Sequence, residues 1–258
     1  TAGARRYIAV MISIHPLIGL PEVRPDHDLP ALLRDALGAA GLWPPVPSDI
    51  LVVTQKIVSK AEGRMIDLET IEPSAEAQLL ADRVCKDPHL VELVLRESSA
   101  VVRAAPNVLI TRHVLGHVMA NSGIDRSNIG PGGAERALLL PVDPDASAAR
   151  IRTALGGELA VVISDSFGRP WRYGVVGVAI GAAGLPALVD RRGEMDRDGR
   201  RLEVTQIALA DQIATAATLA TGEGAESVPA ALIRGMPLPV GEAPAGALVR
   251  PLEEDLFQ

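Results

Sequence analysis

The stretch that decides the fold is residues 161–181, VVISDSFGRPWRYGVVGVAIG. It opens as a buried strand, because residues 160–163 are all apolar and Ser164 and Asp165 follow them abruptly. A carboxylate at the C-terminal end of an apolar strand lies where α/β folds bind their ligands. The stretch therefore predicts a central strand with a functional group at its tip.

Two arginines and three glycines follow this strand end. Arg169 and Arg172 lie in a short turn, and guanidinium groups bind phosphate or carboxylate well. Gly174, Gly177 and Gly181 interrupt the apolar run behind the turn, which indicates backbone packed close to another element.

Composition excludes several classes of protein. The chain has 258 residues, of which 48% are hydrophobic and 2% aromatic, so we expect a globular fold with an aliphatic core. Its formal net charge of -7 argues against nonspecific binding of nucleic acid or an anionic membrane. The lone Cys85 excludes an intrachain disulfide and a cysteine zinc site. No apolar run is long enough to span a bilayer, so we expect a soluble, cytoplasmic protein.

Strands and helices alternate along the chain. The pattern predicts a mixed α/β (α+β) fold, because the extended cluster at 100–120 does not suit a purely doubly wound sheet. We find no linker and predict one domain over residues 1–258. If this domain consists of two lobes, the boundary between them is not readable from the sequence. The predicted strands are 7–14, 50–54, 138–142, 160–163 and 229–235. One predicted helix begins directly after Asp28, and further helices are predicted at 74–97, 146–155 and 207–220.

Three polar loops suggest a binding site. They are residues 56–64, residues 121–128 and the pair Asp165–Ser166, while P-loop, GxGxxG, HExxH and GxSxG motifs are absent. Asp125 and Asp165 each follow an apolar segment, and carboxylate oxygens suit magnesium or manganese. If the loops converge, the two carboxylates need a cation or a proton between them.

Simpler interpretations remain open for single residues. Asp125 could serve only as a turn residue, and Lys60 could be a solvated lysine. His113 and His117 are better explained as structural residues. For Trp171, stacking on a ligand is no better an explanation than packing within the protein.

Several polar blocks together resemble the coenzyme F-420:L-glutamate ligase family. The similarity covers residues 8–236, and the nitroreductase-like flavin domain to which some relatives are fused is absent from this chain. The matching blocks are PLIGLPEVRPDHDL (16–29), VVTQKIVSKAEGR (52–64), ANSGIDRSN (120–128), LLPVDPDASA (139–148), SDSFGRPWRYGVVGVAIG (164–181) and GRRLEVTQIALADQIATAA (199–217).

The resemblance implies GTP-dependent amide formation. The substrates would be GTP, L-glutamate and the phospholactyl carboxylate of the deazaflavin precursor, joined through an acyl phosphate, with γ-linked glutamate added in a further turnover. Mn²⁺ or Mg²⁺ would occupy a two-metal site, with K⁺ as a further candidate ion. The resemblance also implies an intertwined homodimer, and it implies no nucleic-acid or membrane partner.

The same resemblance assigns roles to individual residues. Catalytic roles fall on Asp125, Asp165, Lys60 and Arg169, with Arg172 adding positive charge. Nucleotide contacts fall on Leu20, Pro21, Glu22, Val23, Gln55, Lys56, Lys60, Asn128, Val204, Thr205, Gln206 and Asp211. Metal ligands fall on Asp125, Asp165, Ser166 and Gln206, with Glu203 as an alternative to Gln206.

The chain departs from the family pattern in three places. Ser166 stands where threonine is common, Gln55–Lys56 stands where a hydroxyl pair can occur, and Gln206 is neutral where some relatives carry glutamate. Two other functions use the same residues: a metal-dependent phosphohydrolase, and a non-catalytic nucleotide- or deazaflavin-binding protein.

Overall fold

A five-stranded mixed sheet forms the centre of the computed structural model, which describes residues 11–130 and 135–255. Its strands, in spatial order, are β1 (Ser13–Pro16), β12 (Ala230–Arg234), β2 (Ile50–Thr54), β8 (Ala160–Arg169) and β9 (Arg172–Ala183). The β2 and β8 strands are parallel, and the other neighbours are antiparallel. The predicted mixed α/β class is confirmed.

Strand β1 begins later than predicted. The sequence placed it at 7–14, whereas the described strand covers Ser13–Pro16. Residues 7–10 of that prediction lie outside the described residues.

Alternating side chains cover both faces of the sheet. Leu51 and Val53 of β2 belong to one apolar core, while Ile50 and Val52 belong to the other. The neighbouring β8 repeats this alternation over residues 160–163, as expected for a strand buried on both faces. The sheet is therefore the middle layer, with helices packed on both of its faces.

The helices lie mostly where the sequence predicts them. Asp28 caps the first one through a hydrogen bond from the backbone N–H of Ala31, and Asp143 caps the fifth through Ala146. The helices of the described residues are α1 (Leu29–Ala39), α2 (Gln55–Ala61), α3 (Ala75–Val84), α4 (Pro88–Arg96), α5 (Pro144–Ala154) and α6 (Leu209–Thr221). Of these, α1, α2 and α5 pack on one face of the central sheet and α6 packs on the other.

Three small sheets complete the fold. The extended cluster at 100–120 is the antiparallel sheet of β4 (Ser98–Ala105), β5 (Val108–His113) and β6 (Val118–Ala120). The other two sheets pair β3 (Met65–Asp67) with β7 (Arg136–Leu138), and β10 (Leu188–Asp190) with β11 (Gln206–Ala208).

The strand predicted at 138–142 is wrong in its extent. The observed strand β7 ends at Leu138, and Leu139 then donates its backbone N–H to the carbonyl oxygen of Arg64. Pro141 has no N–H with which to continue a ladder. The helix predicted at 207–220 begins two residues later, at Leu209, because β11 uses residues 206–208.

Glycines allow two helices to approach β9 closely. A Cβ at Gly177 would lie 2.5 Å from the carbonyl oxygen of Ala214 in α6, and one at Gly181 would overlap the carbonyl oxygen of Pro144 in α5. The predicted close packing is thus found at Gly177 and Gly181 but not at Gly174, where a Cβ would meet only the side chain of Arg169, at 3.8 Å. Among the described residues, no helix combines the length and apolar character needed to cross a membrane.

Candidate active site

A cavity of about 520 Å³ opens at the C-terminal ends of β2 and β8. Thr54 and Ser164 are paired partners at this edge of the sheet, and both line the cavity. The rest of its wall comes from residues 20–23, the first turns of α2, Asn128, Asp165–Ser166 and the loop 221–229 after α6. The parallel strands bring the first and third predicted polar loops together, and the second loop, which follows β6, contributes Asn128 to the same cavity.

Gln55 lines the cavity and binds the carboxylate of Asp125, which is not itself part of the cavity wall. It is buried at the start of α2, and its amide Nε2 donates a hydrogen bond of 2.5 Å to Oδ2 of Asp125. The hydroxyl of Ser59 donates to Oε1 of Gln55 at 3.0 Å, which orients the amide. Lys56 lies on the other side of the carboxylate, with Nζ 3.7 Å from Oδ1 of Asp125.

The two aspartates interact electrostatically. Burial raises the pKa of Asp125, and the Lys56 charge opposes part of that rise. Burial, and after it the Asp125 charge, together raise the pKa of Asp165 to about 7. The structure thus places two carboxylates near one another with too little positive charge to keep both ionised at low cost.

This donor set fits a hard divalent cation. The cavity region offers carboxylate, hydroxyl and amide oxygens, which Mg²⁺ and Mn²⁺ prefer. Within residues 11–130 and 135–255, no group of three or more His, Cys, Asp or Glu side chains forms a complete metal cage. Phosphate and water oxygens would therefore complete the coordination, as is usual for Mg²⁺ at a nucleotide.

Glu223 is a site residue that the sequence reasoning missed. The hydroxyl of Ser166 donates to both oxygens of the Glu223 carboxylate, at 2.8 and 2.6 Å, although 57 residues separate the two. Gly222 ends α6 with a φ of +70° and directs the following loop over the cavity. The available signal was the acid between two glycines, directly after a long helix.

Lys60 links two walls of the cavity. Its side chain is buried, and Nζ lies 2.6 Å from Oε1 of Glu22 and 3.2 Å from the carbonyl oxygen of Asn128. The side-chain amide of Asn128 in turn donates to the carbonyl oxygen of Gly224 at 3.1 Å. Lys60 is therefore a structured part of the cavity rather than a solvated lysine.

Other predicted site residues lie outside this cavity. Gln206 pairs with Asp190 in the sheet of β10 and β11, and Asp211 accepts a hydrogen bond of 2.9 Å from the backbone N–H of Ala179. Neither residue, nor any part of 203–206, is in the cavity wall. Arg169 also lies outside it, with Nη2 donating to the carbonyl oxygen of Tyr173 at 3.0 Å.

The two histidines are also distant from this cavity. His113 is buried, and its Nδ1 accepts a hydrogen bond from the backbone N–H of Leu115. His117 packs edge-on against Phe167, with ring centroids 5.6 Å apart, and burial lowers its pKa to about 4. Both contacts agree with the structural interpretation.

The raised pKa of Asp165 predicts that this residue destabilises the metal-free protein at high pH. Its pKa is about 7 when folded and 3.8 ordinarily, so its contribution to stability is lost as pH rises from about 4 to 7. Asp165→Asn should therefore stabilise the metal-free protein little near pH 4 and by up to about 4 kcal/mol at pH 8. Urea unfolding across this range measures the difference.

The matched control for this measurement is Asp198→Asn, because the Asp198 side chain is 71% exposed in the charged loop 190–201. If the unfolding free energies of the wild-type protein and the Asp165→Asn variant differed by the same amount at every pH, the effect would not have an electrostatic origin.

Comparison with known proteins shows the family to which the chain is similar. The model of the family described as F420-0:Gamma-glutamyl ligase matches residues 17–235. The chain is 46% identical over 253 residues to the coenzyme F420:L-glutamate ligase of Methanothermobacter thermautotrophicus, covering 96% of this chain and 99% of that protein.

Two further relatives carry the same name. The protein of Methanopyrus kandleri is 42% identical over 255 residues, covering 96% of this chain and 98% of the relative. The protein of Natronomonas pharaonis is 48% identical over 223 residues, covering 84% of this chain and 83% of the relative.

Proposed function

Because the chain belongs to the F420-0:Gamma-glutamyl ligase family, we propose that it joins L-glutamate to the phospholactyl carboxylate of the deazaflavin precursor at the expense of GTP. Family membership itself makes the chain a ligase of coenzyme F-420 biosynthesis, with glutamate and an F-420 precursor as its substrates. The nucleotide, the metal and the reaction sequence are the finer parts of the proposal.

One observation supports the nucleotide and metal most strongly. Asp165, Lys56 and Lys60 line the cavity. Asp125 contacts the cavity wall through Gln55 and Lys56 and interacts electrostatically with Asp165. Phosphoryl transfer requires cations around the phosphates and little covalent help from the protein. A GTP site therefore needs this arrangement, in which carboxylates bind metal ions and neighbouring lysines contact the phosphates.

The metal ligands follow from the same contacts. In this proposal Asp125 and Asp165 hold one Mn²⁺ or Mg²⁺ ion, while Ser166 and Glu223 hold a second. When bound, the ions neutralise phosphate charge and polarise the transferred phosphoryl group. Glu223 replaces Gln206 and Glu203 in this role because it contacts Ser166 directly.

The proposed reaction has two steps. A carboxylate oxygen of the precursor attacks the γ-phosphorus of GTP, and the bond to the bridging oxygen breaks to release GDP. The glutamate amine then attacks the acyl carbon, phosphate leaves, and the amine loses its proton to form the amide. The chain's own role is to orient the reactants: Lys60 carries positive charge to the phosphates, and residues 20–23 and 221–229 surround the nucleotide.

Product analysis tests this proposal. The protein is incubated with precursor, GTP, MnCl₂, KCl and L-glutamate, and the products are identified by mass spectrometry. A glutamyl adduct together with GDP and phosphate supports the ligase, and omission of glutamate should abolish the adduct. Free phosphate without an adduct would favour a phosphohydrolase, and tight binding without turnover would favour a binding protein.

We also propose that the protein is a cytoplasmic homodimer. Large apolar side chains are exposed at Ile18, Val204 and Leu219, which suits association with a second copy. Stability should then rise with protein concentration, and sedimentation velocity should show a dimer at micromolar concentration. A stable monomer under those conditions would contradict the dimer.

A further inference from the structure

The hairpin of β8 and β9 extends beyond the sheet beside the cavity. Strand β2 ends at Thr54, opposite Ser164, whereas β8 continues to Arg169 and pairs there only with β9. Strands rise about 3.3 Å per residue, which places the hairpin turn about 13 Å beyond Asp165. The turn is thus a projecting element whose base forms part of the candidate active site.

The turn presents aromatic side chains to solvent. Aromatic residues make up only 2% of the chain, yet Trp171 is 82% exposed and Tyr173 is fully exposed. Trp171 also has a φ of +58°, a conformation that is rare for a bulky residue and favours glycine or asparagine. Neither apolar burial nor turn geometry therefore explains a tryptophan at this position.

The turn is also braced and positively charged. Arg169 donates from Nη2 to the carbonyl oxygen of Tyr173, which links the two strands across the turn. Arg172 is exposed, and no salt bridge to an acidic side chain is found for it in the described part of the chain. In a protein of net charge -7, an exposed arginine beside two aromatic rings suits a planar ligand with an anionic tail.

We propose that this turn binds the deazaflavin ring of the acceptor substrate. The ring stacks on Trp171 and Tyr173, and Arg172 pairs with the phosphodiester of the tail. The tail then runs along the hairpin and delivers its carboxylate to the cavity beside Asp165. The assignment rests on the proposed function, since it takes the acceptor from that function and adds the part of the chain that recognises its ring.

A second copy of the chain is the competing occupant of the turn. The arginines favour the small anionic ligand, because a guanidinium buried between two subunits would need an acidic partner. The span of about 13 Å from Asp165 to the turn also suits a ring held at one end and a carboxylate at the other.

Steady-state kinetics of four variants test the assignment. Trp171→Ala/Tyr173→Ala should raise KM for the precursor at least about tenfold, because stacking on an aromatic side chain is worth that much or more. Arg172→Ala should raise the same KM, while kcat and KM for GTP stay near wild type. Trp171→Phe should keep precursor binding near wild type, and Leu79→Ala, an exposed substitution on α3, is the matched control. Unchanged KM for the precursor in the double variant would overturn the proposal while leaving the ligase activity intact.

Direct binding keeps the test independent of turnover. In a Trp43→Phe background Trp171 is the remaining tryptophan, and its fluorescence should be quenched on titration with the precursor. The deazaflavin chromophore without its phospholactyl tail should quench it as well, but with weaker affinity. Quenching in a protein that forms no glutamyl adduct would support the ring site and count against the ligase. Fluorescence that changes with protein concentration but not with either probe would assign the turn to a second copy.

Discussion

Asp165→Asn and Asp125→Asn should each reduce glutamate ligation by at least about 1000-fold in kcat while leaving the fold intact. Both substitutions keep the shape of the side chain and remove the negative charge that would hold a divalent ion. The loss should persist at raised Mn²⁺ concentration, because an amide brings no charge to the site. Initial rates of adduct formation measure the effect, and circular dichroism monitors the fold.

Two further variants separate the possible ligands of a second ion. Glu223→Gln should lower kcat strongly, because Glu223 contacts Ser166, whereas Gln206→Ala should have little effect, because Gln206 lies in the sheet of β10 and β11. Calorimetric titration of Mn²⁺ with a non-hydrolysable GTP analogue reports the second binding event directly. If Gln206→Ala removed that event and Glu223→Gln preserved it, the ligand would have to be reassigned to Gln206.

Gly181→Ala should be among the most destabilising single-methyl additions in this protein, at about 3 kcal/mol. The new Cβ would overlap the backbone carbonyl of Pro144 at the start of α5, and backbone cannot rotate away as a side chain can. The helix must instead move off β9, which opens the core on that face of the sheet. Urea unfolding of the two proteins gives the change in free energy.

Gly38→Ala is the matched control for this substitution. Gly38 lies within α1, and a Cβ there would meet nothing within 4 Å. Alanine should therefore stabilise the protein by about 0.5–1 kcal/mol, since it restricts the unfolded chain and favours the helix. If both alanines changed stability by similar amounts in the same direction, close packing at Gly181 would not be the cause.

The central strands and the polar loops were predictable from local pattern. Residues 50–54 and 160–163 are short apolar runs that end in polar residues, so both the strands and the edge carrying the cavity follow from them. Asp125 and Asp165 were identified because each follows an apolar segment. Their proximity was only a conditional expectation, because it depends on which strands become neighbours.

Glu223 was not predictable in this way. It reaches the cavity only because α6 packs against β9 and ends at Gly222, and both are properties of the assembled fold. Glu203, Thr205 and Gln206 were singled out because polar residues at a helix start favour anions. The nucleotide role of residues 204–211 came from the family resemblance and stays a prediction. In the structure, the Asp211 carboxylate accepts a hydrogen bond from the backbone N–H of Ala179.

The cavity depends on β12, the strand of the central sheet that is synthesised last. This strand is the last of the central sheet in the chain, yet it lies between β1 and β2, and residues 228–229 just before it line the cavity. While residue 234 is still inside the ribosome, β1 therefore lacks its neighbour β12 and the cavity wall is incomplete. Catalytic competence would be acquired only once β12 has been made, after every other strand of the central sheet.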